Sequence, residues 1–256
     1  MVVSIITVAG ISSRFNQGLD EKDKALKCIY YEKDYNATLL KHLLDLCCFA
    51  DKIIIVGGYK YSELCQYCAK LPEPLLTKID FVYNKYFADL GSGYSLYLGL
   101  EKIFSFKSDI SQILFVEGDL DVDAVSFDRV IGTRLNVLTY TSEPIYTNKS
   151  VVLFKDQDEC YKYAFNSKHG LLKIEEYFSC IFNSGQIWKF TDIAKLKVAA
   201  AQFIGKSKDE TNLALIQNYI DLCAKNDFEL IRINRWTNCN TREDYKKITN
   251  YWEAEK

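Results

Sequence analysis

Three separated stretches carry the residue types that handle phosphate. Gly10, Ser12, Ser13 and Arg14 follow directly on the apolar run Val2–Val8, Lys24 lies shortly beyond, and Asp119 closes a second apolar run at Glu117-Gly118-Asp119. Small residues after a strand leave backbone N–H groups open to an anion, and a planar guanidinium such as that of Arg14 matches phosphate oxygens in pairs. A carboxylate at the end of an apolar strand is costly unless water or a cation holds it, and beside phosphates the natural cation is magnesium. Each feature alone has an ordinary use: a Gly-x-Ser turn with a surface arginine joins a strand to a helix, and a strand-end aspartate caps a turn. Together they read as a polyphosphate site. Asp121 and Asp123, just beyond, read as solvated loop carboxylates.

These residues need a frame that brings them to one place. Short β-rich apolar runs alternate with helical spacing, the pattern of a mostly parallel sheet covered by helices. Strands are predicted at Val2–Val8, Ile53–Val56, Ile79–Tyr83 and Ile113–Val116, and helices at Leu39 to Cys47, Ser62 to Ala69 and Ser95 to Phe104. Past Asp119 the strands Leu135 to Tyr140, Val151 to Phe154, Cys160 to Phe165 and Tyr177 to Phe182 follow with few intervening helices, so this half reads as mixed or antiparallel. A helix bearing Leu213, Ile216, Ile220 and Cys223, a strand Phe228–Ile233, and a helix opened by a Thr241/Asp244 capping box complete the chain. In an open parallel sheet, ligands bind beyond the carboxyl ends of the strands. The loops at Gly10, at Gly57-Gly58-Tyr59 and at Glu117-Gly118-Asp119 are therefore expected to share one edge.

Other patterns lead elsewhere. Gly205-Lys206-Ser207 lacks the first glycine of a phosphate loop, since position 200 is Ala200, and Gly91-Ser92-Gly93 lacks the third glycine of a dinucleotide fingerprint. Cys65 and Cys68 have no partner pair at zinc spacing. With only His42 and His169, neither a catalytic triad nor a histidine-rich metal site has support. Thirty-two basic against 34 acidic side chains give a net charge of −2, which argues against a nucleic-acid partner held by phosphate contacts. The apolar start breaks at Gly10 without a preceding basic residue, and no stretch approaches about 18 apolar residues, so neither signal peptide nor membrane partner is expected. Nine cysteines set in apolar patterns, Cys47, Cys48 and Cys223 among them, read as buried thiols of a reducing, cytoplasmic compartment. With no repeat or long linker, residues 1–256 read as one domain.

Val8-Ala9-Gly10-Ile11-Ser12-Ser13-Arg14-Phe15 resembles the opening signature of the sugar-phosphate and alditol-phosphate nucleotidyltransferases, usually Leu-Ala-Ala-Gly-x-x-Ser-Arg-Phe/Leu. Asp23-Lys24-Ala25-Leu26 is similar to the Pro-Lys-Ala-Leu that follows it. Asn84-Lys-Tyr-Phe with Gly91 to Leu96 resembles the Asn-Pro-x-Tyr…Asn-x-x-Ser-Leu block, and Glu117-Gly118-Asp119 the Gly-Asp metal motif. Asn183-Ser184-Gly185 resembles an Asn-x-Gly turn, and Asn240 to Tyr245 the closing Asp-Thr-x-Glu-Asp-Leu. The blocks keep family order over nearly the whole chain.

The resemblance implies an α/β, glycosyltransferase-A-like (Rossmann-like) fold with a mixed, mainly parallel central sheet and helices on both faces. Residues 1–120 would form the nucleotide-binding half and 121–256 the acceptor-binding half. It further implies an enzyme that joins a nucleoside triphosphate to a phosphorylated acceptor with release of pyrophosphate. Val8, Ala9, Gly10, Ser12 and Ser13 would touch base and phosphates, Arg14 the β- and γ-phosphates, and Lys24 the α-phosphate. Ser92, Gly93 and Ser95, with Glu117, would lie near base and ribose. Asp119 would hold Mg2+ with Asn240 as second ligand, an asparagine where most members carry aspartate, so affinity for the metal is expected to be weaker. The compact length and the Ser-Leu block favour a cytidylyltransferase using CTP. Among acceptors, phosphorylated glutamine for bacterial capsule modification is the first choice, with phosphocholine, aminoethylphosphonate, glycerol phosphate and sugar 1-phosphates as alternatives. A non-catalytic nucleotide-binding regulatory module is the alternative of another class. The stretch Tyr140 to Tyr146 suits an interface as well as a pocket lid.

Overall fold

The computed structural model describes residues 1–147, 150–164 and 173–254. Its first four strands, β1 (Val2–Val8), β2 (Lys52–Gly57), β3 (Ile79–Tyr83) and β4 (Gln112–Glu117), pair in parallel in the order β4-β1-β2-β3. β1, β2 and β4 are near-continuous β-branched and apolar runs because helices cover both faces, and a strand buried on both sides has no polar side to alternate. β5 (Leu120–Val122) leaves this sheet, and β6 (Asn136–Thr141), β7 (Val152–Asp156), β8 (Tyr161–Ala164) and β9 (Phe178–Phe190) continue it. β9 runs antiparallel to both β4 and β6, and also pairs with β7, which carries β8. β10 (Phe228–Ile233) adds to β6 in parallel, and β11 (Trp236–Asn238) pairs antiparallel with β5.

Helices α1 (Leu39–Leu46), α2 (Tyr61–Cys68), α3 (Glu73–Leu76), α4 (Ser92–Phe104), α5 (Ala124–Gly132), α6 (Ile193–Lys206), α7 (Asn212–Leu222) and α8 (Arg242–Ala254) complete the architecture. Ile6, Ile53, Ile55, Leu114 and Val116 pack on one face with Leu40, Leu43 and Leu44 of α1 and Phe127 of α5. Ile5, Ile54, Val56 and Phe115 pack on the other with Leu96 and Leu100 of α4, Phe203 of α6 and Ile216 of α7. No helix of the described residues is long and apolar enough to cross a membrane.

The mixed α/β fold with its mostly parallel sheet is as expected, and the second half departs in instructive ways. It contains two helices that few-helix spacing did not anticipate, α5 and α6, each started by an aspartate whose side chain accepts the N-cap hydrogen bond, Asp123 from Ser126 and Asp192 from Lys195. Asp123 is thus a helix cap and no solvated loop residue. Asp121 is also no loop carboxylate, being fully buried. Asn183-Ser184-Gly185 does not end a strand but lies inside β9, opposite a bulge in the β6 pairing. Cys48 is exposed, unlike buried Cys47, and Cys223 is half-buried. Phe165 and His169 lie outside the described residues. The Thr241/Asp244 box forms as read: Asp244 N–H donates to Thr241 Oγ1 at 3.1 Å and Thr241 N–H to Asp244 Oδ2 at 2.8 Å.

Candidate active site

Register fixes the site's location. Thr7 of β1 stands beside Glu117 of β4, and Val8 beside Gly57 of β2, so these strands finish together and their loops open on one edge. Gly118 N–H donates to the Thr7 carbonyl at 3.0 Å, and a Cβ at Gly118 would lie 2.7 Å from that oxygen, so only glycine lets the chain turn here. A cleft of about 310 Å³ opens at this edge. Val8, Ala9, Gly10, Ser12, Ser92, Ser95, Glu117 and Asp119 line it, together with Lys27, which sequence reasoning missed.

The loop from Gly10 to Lys27 is closed by its own polar groups. Ser12 adopts φ 55°, its hydroxyl accepts from Lys27 N–H at 3.3 Å, and buried Asn16 clamps Ala25 in both directions, at 2.8 and 2.9 Å. This closure sets Lys27 Nζ on Asp119 Oδ2 at 2.9 Å, a partly buried ion pair. Lys24, one turn earlier, is directed instead to Glu21 at 2.6 Å, and that pair lies on the surface. Arg14 and Ser13 are exposed on the same loop and do not line the cleft. The expected meeting of Arg14, Lys24 and Asp119 is therefore not made in this structure. Gly93 serves close packing, since a Cβ there would lie 2.5 Å from Phe203.

Glu117 is held at the floor by two carboxamides. Asn212 Nδ2 donates to its Oε1 at 2.6 Å and Gln186 Nε2 to its Oε2 at 3.0 Å. Burial, with the Asp119 charge next to it, pushes the Glu117 carboxyl up to about 8, against the pull of Asn212 and Lys27. Asn212 also accepts from the Ser92 hydroxyl at 3.3 Å and so ties the start of α4 to the floor. Asn84 donates to Ser95 Oγ at 3.0 Å, fixing the other serine of that helix.

A second cleft, of about 340 Å³, adjoins across Gln186 and is lined by Asn183, Asn238, Asn240, Trp236, Glu143 and Asp244 among others. Cys239 N–H donates to the Asp119 carbonyl at 2.8 Å, which brings the segment carrying Asn240 alongside the metal-motif aspartate. Among the described residues no group of three or more His, Cys, Asp or Glu could hold a metal. Asp119 Oδ1, however, is buried without a hydrogen-bond partner, an oxygen that magnesium would satisfy. The donor set fits a magnesium ion that takes few protein oxygens and fills its shell with water and substrate phosphate.

The same fold recurs in nucleotidyltransferases. The chain is similar to the inositol-1-phosphate CTP transferase from T. maritima at 14% identity and TM-score 0.65, over 96% of this chain and 94% of that one. It is similar to the CTP:phosphocholine cytidylyltransferase LicC from Streptococcus pneumoniae at 14% and 0.67, over 98% and 99%. A UDP-glucose pyrophosphorylase complexed with UDP-glucose matches at 12% and 0.70 over the whole of both chains. These likenesses define a Rossmann-like nucleotidyltransferase fold. The family itself is shown by residues 23–252, which match the model described as domain of unknown function DUF6564, and the chain belongs to that family. No curated protein matches it by sequence.

Proposed function

We propose that this chain is a magnesium-dependent cytidylyltransferase that transfers CMP from CTP to a small phosphorylated acceptor. The observation that carries the reading is Asp119, with one carboxylate oxygen unpartnered, on the wall of a cleft at the aligned strand ends. An acceptor phosphate oxygen attacks the α-phosphorus, a new P–O bond forms, the bond to the β-phosphate bridge breaks, and pyrophosphate leaves. Both partners are anions, so rate depends on charge neutralisation and alignment more than on acid–base chemistry. Magnesium bound by Asp119, with Asn240 as second ligand, would supply part of that neutralisation. Gly10, Ser12 and Ser13 offer backbone donors to the phosphates. Lys24 and Arg14 stand on the loop beside the cleft, and the Lys24–Glu21 pair is solvent-exposed, so that phosphate can replace Glu21. In this reading Arg14 takes the β- and γ-phosphates and Lys24 the α-phosphate, while Lys27, paired with Asp119, competes with the metal for that carboxylate.

The acceptor occupies the second cleft. The described residues that line it include four carboxamides, Asn183, Gln186, Asn238 and Asn240, two carboxylates and no lysine or arginine. Such a wall suits an acceptor that carries an ammonium group away from its phosphate, as phosphorylated glutamine, the proposed capsule precursor, does. Trp236 with Glu143 and Asp244 in the same cleft favours phosphocholine as the second reading, since a ring face and acids attract a quaternary ammonium. Pyrophosphate release measured with each of the four nucleoside triphosphates across a panel of phosphorylated glutamine, phosphocholine and sugar 1-phosphates tests the reading. CTP with a nitrogen-bearing acceptor is expected to be fastest. Nucleotide binding without pyrophosphate release from any pair would mark a regulatory module instead.

A further inference from the structure

The two clefts are linked by one residue in an unusual conformation, Gln186, which lines the second cleft and donates to Glu117 of the first. Along β6 and β9 the ladder pairs Leu138 with Trp188 and then Tyr140 with Ser184, so Thr139 alone faces Gly185, Gln186 and Ile187. The bulge is closed by side chains: the Thr139 hydroxyl donates to Ile187 O at 2.8 Å and accepts Ile187 N–H at 3.1 Å, while Trp236 Nε1 donates to Gly185 O at 2.9 Å. Gln186, buried, sits at φ 56°, in the left-handed region where a residue with a Cβ is strained. What the strain achieves is visible in the hydrogen bonds. Gln186 Nε2 reaches Glu117 on the nucleotide side at 3.0 Å, and its Oε1 accepts from Asn238 Nδ2, on the acceptor side, at 3.1 Å. Asn238 keeps its own Oδ1 buried and unpartnered among the lining of the second cleft. Beyond Glu117 the chain continues through Asn212 to Ser92 in the nucleotide cleft.

We propose that Gln186 is a positioning residue that couples the two clefts, passing the arrangement of an acceptor bound at Asn238 to Glu117 and the nucleotide floor. The proposal rests on the transfer reaction put forward above. A donor to the vacant Asn238 oxygen would fix that carboxamide, hence the Gln186 amide, hence the Glu117 carboxyl beside the reacting phosphates. Gln186 then matters for turnover with acceptor present and little for holding the nucleotide alone. A merely structural residue would behave otherwise: its replacement would move the melting temperature and leave the kcat of the folded protein unchanged.

The test uses the whole chain, calorimetric titration with CTP and Mg2+, steady-state pyrophosphate release with the best acceptor of the wild-type panel, and thermal melting. Expected for Gln186→Gly is a folded protein whose melting temperature is lowered by the loss of two buried hydrogen bonds, a CTP dissociation constant within about twofold, and kcat down at least tenfold. Asn238→Leu is expected to lower kcat similarly, and the double variant no further, because members of one hydrogen-bonded chain are not additive. A Gln186→Gly protein with wild-type kcat, a CTP affinity that falls in step with kcat, or two substitutions whose effects multiply would each overturn the coupling. Wild type without pyrophosphate release from any pair overturns the transfer reading and this inference with it, whereas an active wild type beside an equally active Gln186→Gly overturns only the inference.

Discussion

Two aspartates two residues apart in sequence meet opposite fates. Asp121, on β5, is fully buried and saturated: Arg235 Nη1 approaches Oδ2 at 2.6 Å, Trp252 Nε1 donates to Oδ1 at 2.9 Å, and His42 Nε2 lies 3.3 Å away. Among the described residues Asp119, at the strand edge, has Lys27 on one oxygen and no hydrogen-bond partner on the other. The first carboxylate joins β5, β11 and α8 into one unit, and the second is kept short of partners on the cleft wall. Saturation suits a group that holds the fold, and in the reading proposed above the open oxygen of Asp119 is the one that would take the metal.

Substitutions should separate the pair cleanly. Asp119→Ala is expected to lower pyrophosphate release about a thousandfold, the upper range for losing a charge-stabilising contact, with a smaller loss of stability than Asp121→Ala because Asp119 is partly exposed and Asp121 fully buried. Asp121→Ala should do the reverse and cost about 3–5 kcal/mol in urea unfolding, because the buried carboxylate that Arg235, Trp252 and His42 all approach is removed. Equal losses of stability in the two variants would dissolve the contrast. Smaller effects sharpen it. Lys24→Ala is expected to cost about a hundredfold in kcat, as for other phosphate-neutralising groups. Lys27→Ala, which removes an ammonium competing for Asp119, should shift half-maximal activity to lower Mg2+ concentration, read from a magnesium titration of the rate. An unchanged or higher Mg2+ requirement would place Lys27 elsewhere in the mechanism.

The smallest effect concerns pH. Burial lowers the His42 pKa from its usual 6.5, opposed by Asp121 and the Val122 carbonyl and assisted by Arg235. The folded state thus holds His42 neutral, and its contribution is complete above about pH 6.5 and lost as pH falls through that value toward the lower folded pKa. Chemical denaturation from pH 7.5 to pH 5 should show stability falling, and His42→Asn should flatten that fall. A slope unchanged by the substitution would assign the acid sensitivity to other groups.

Much of this molecule was readable from residue order because its first half is local. β1, β2 and β4 are apolar runs with small or polar residues at their ends, and β3 and β10 have the bounds their composition predicts. The cleft edge followed from where those runs stop. α6 also carried a legible signal, Leu196, Ala199, Ala200 and Phe203 on one face behind the Asp192 cap, with Gly205 as a helix-weakening residue near its end. α5 was hidden by the acidic run around its cap, Asp123. Lys27 was overlooked because spacing alone does not tell which of two lysines a closed loop turns inward, and the closing contact, Asn16 to Ala25, is itself a fold-level event. Gln186 had no local signature, since its conformation depends on Thr139 and Trp236 from other strands.

The central claim is that Asp119, and not its saturated neighbour, is the group around which nucleotide and acceptor react. It is tested most directly by pyrophosphate release from CTP and the preferred acceptor in Mg2+, measured on wild type, Asp119→Ala and Asp121→Asn at equal folded concentration. Activity lost in Asp119→Ala and kept within about tenfold in Asp121→Asn, a factor of ten being about 1.4 kcal/mol of barrier, is the predicted result. Wild-type rates from folded Asp119→Ala would contradict it.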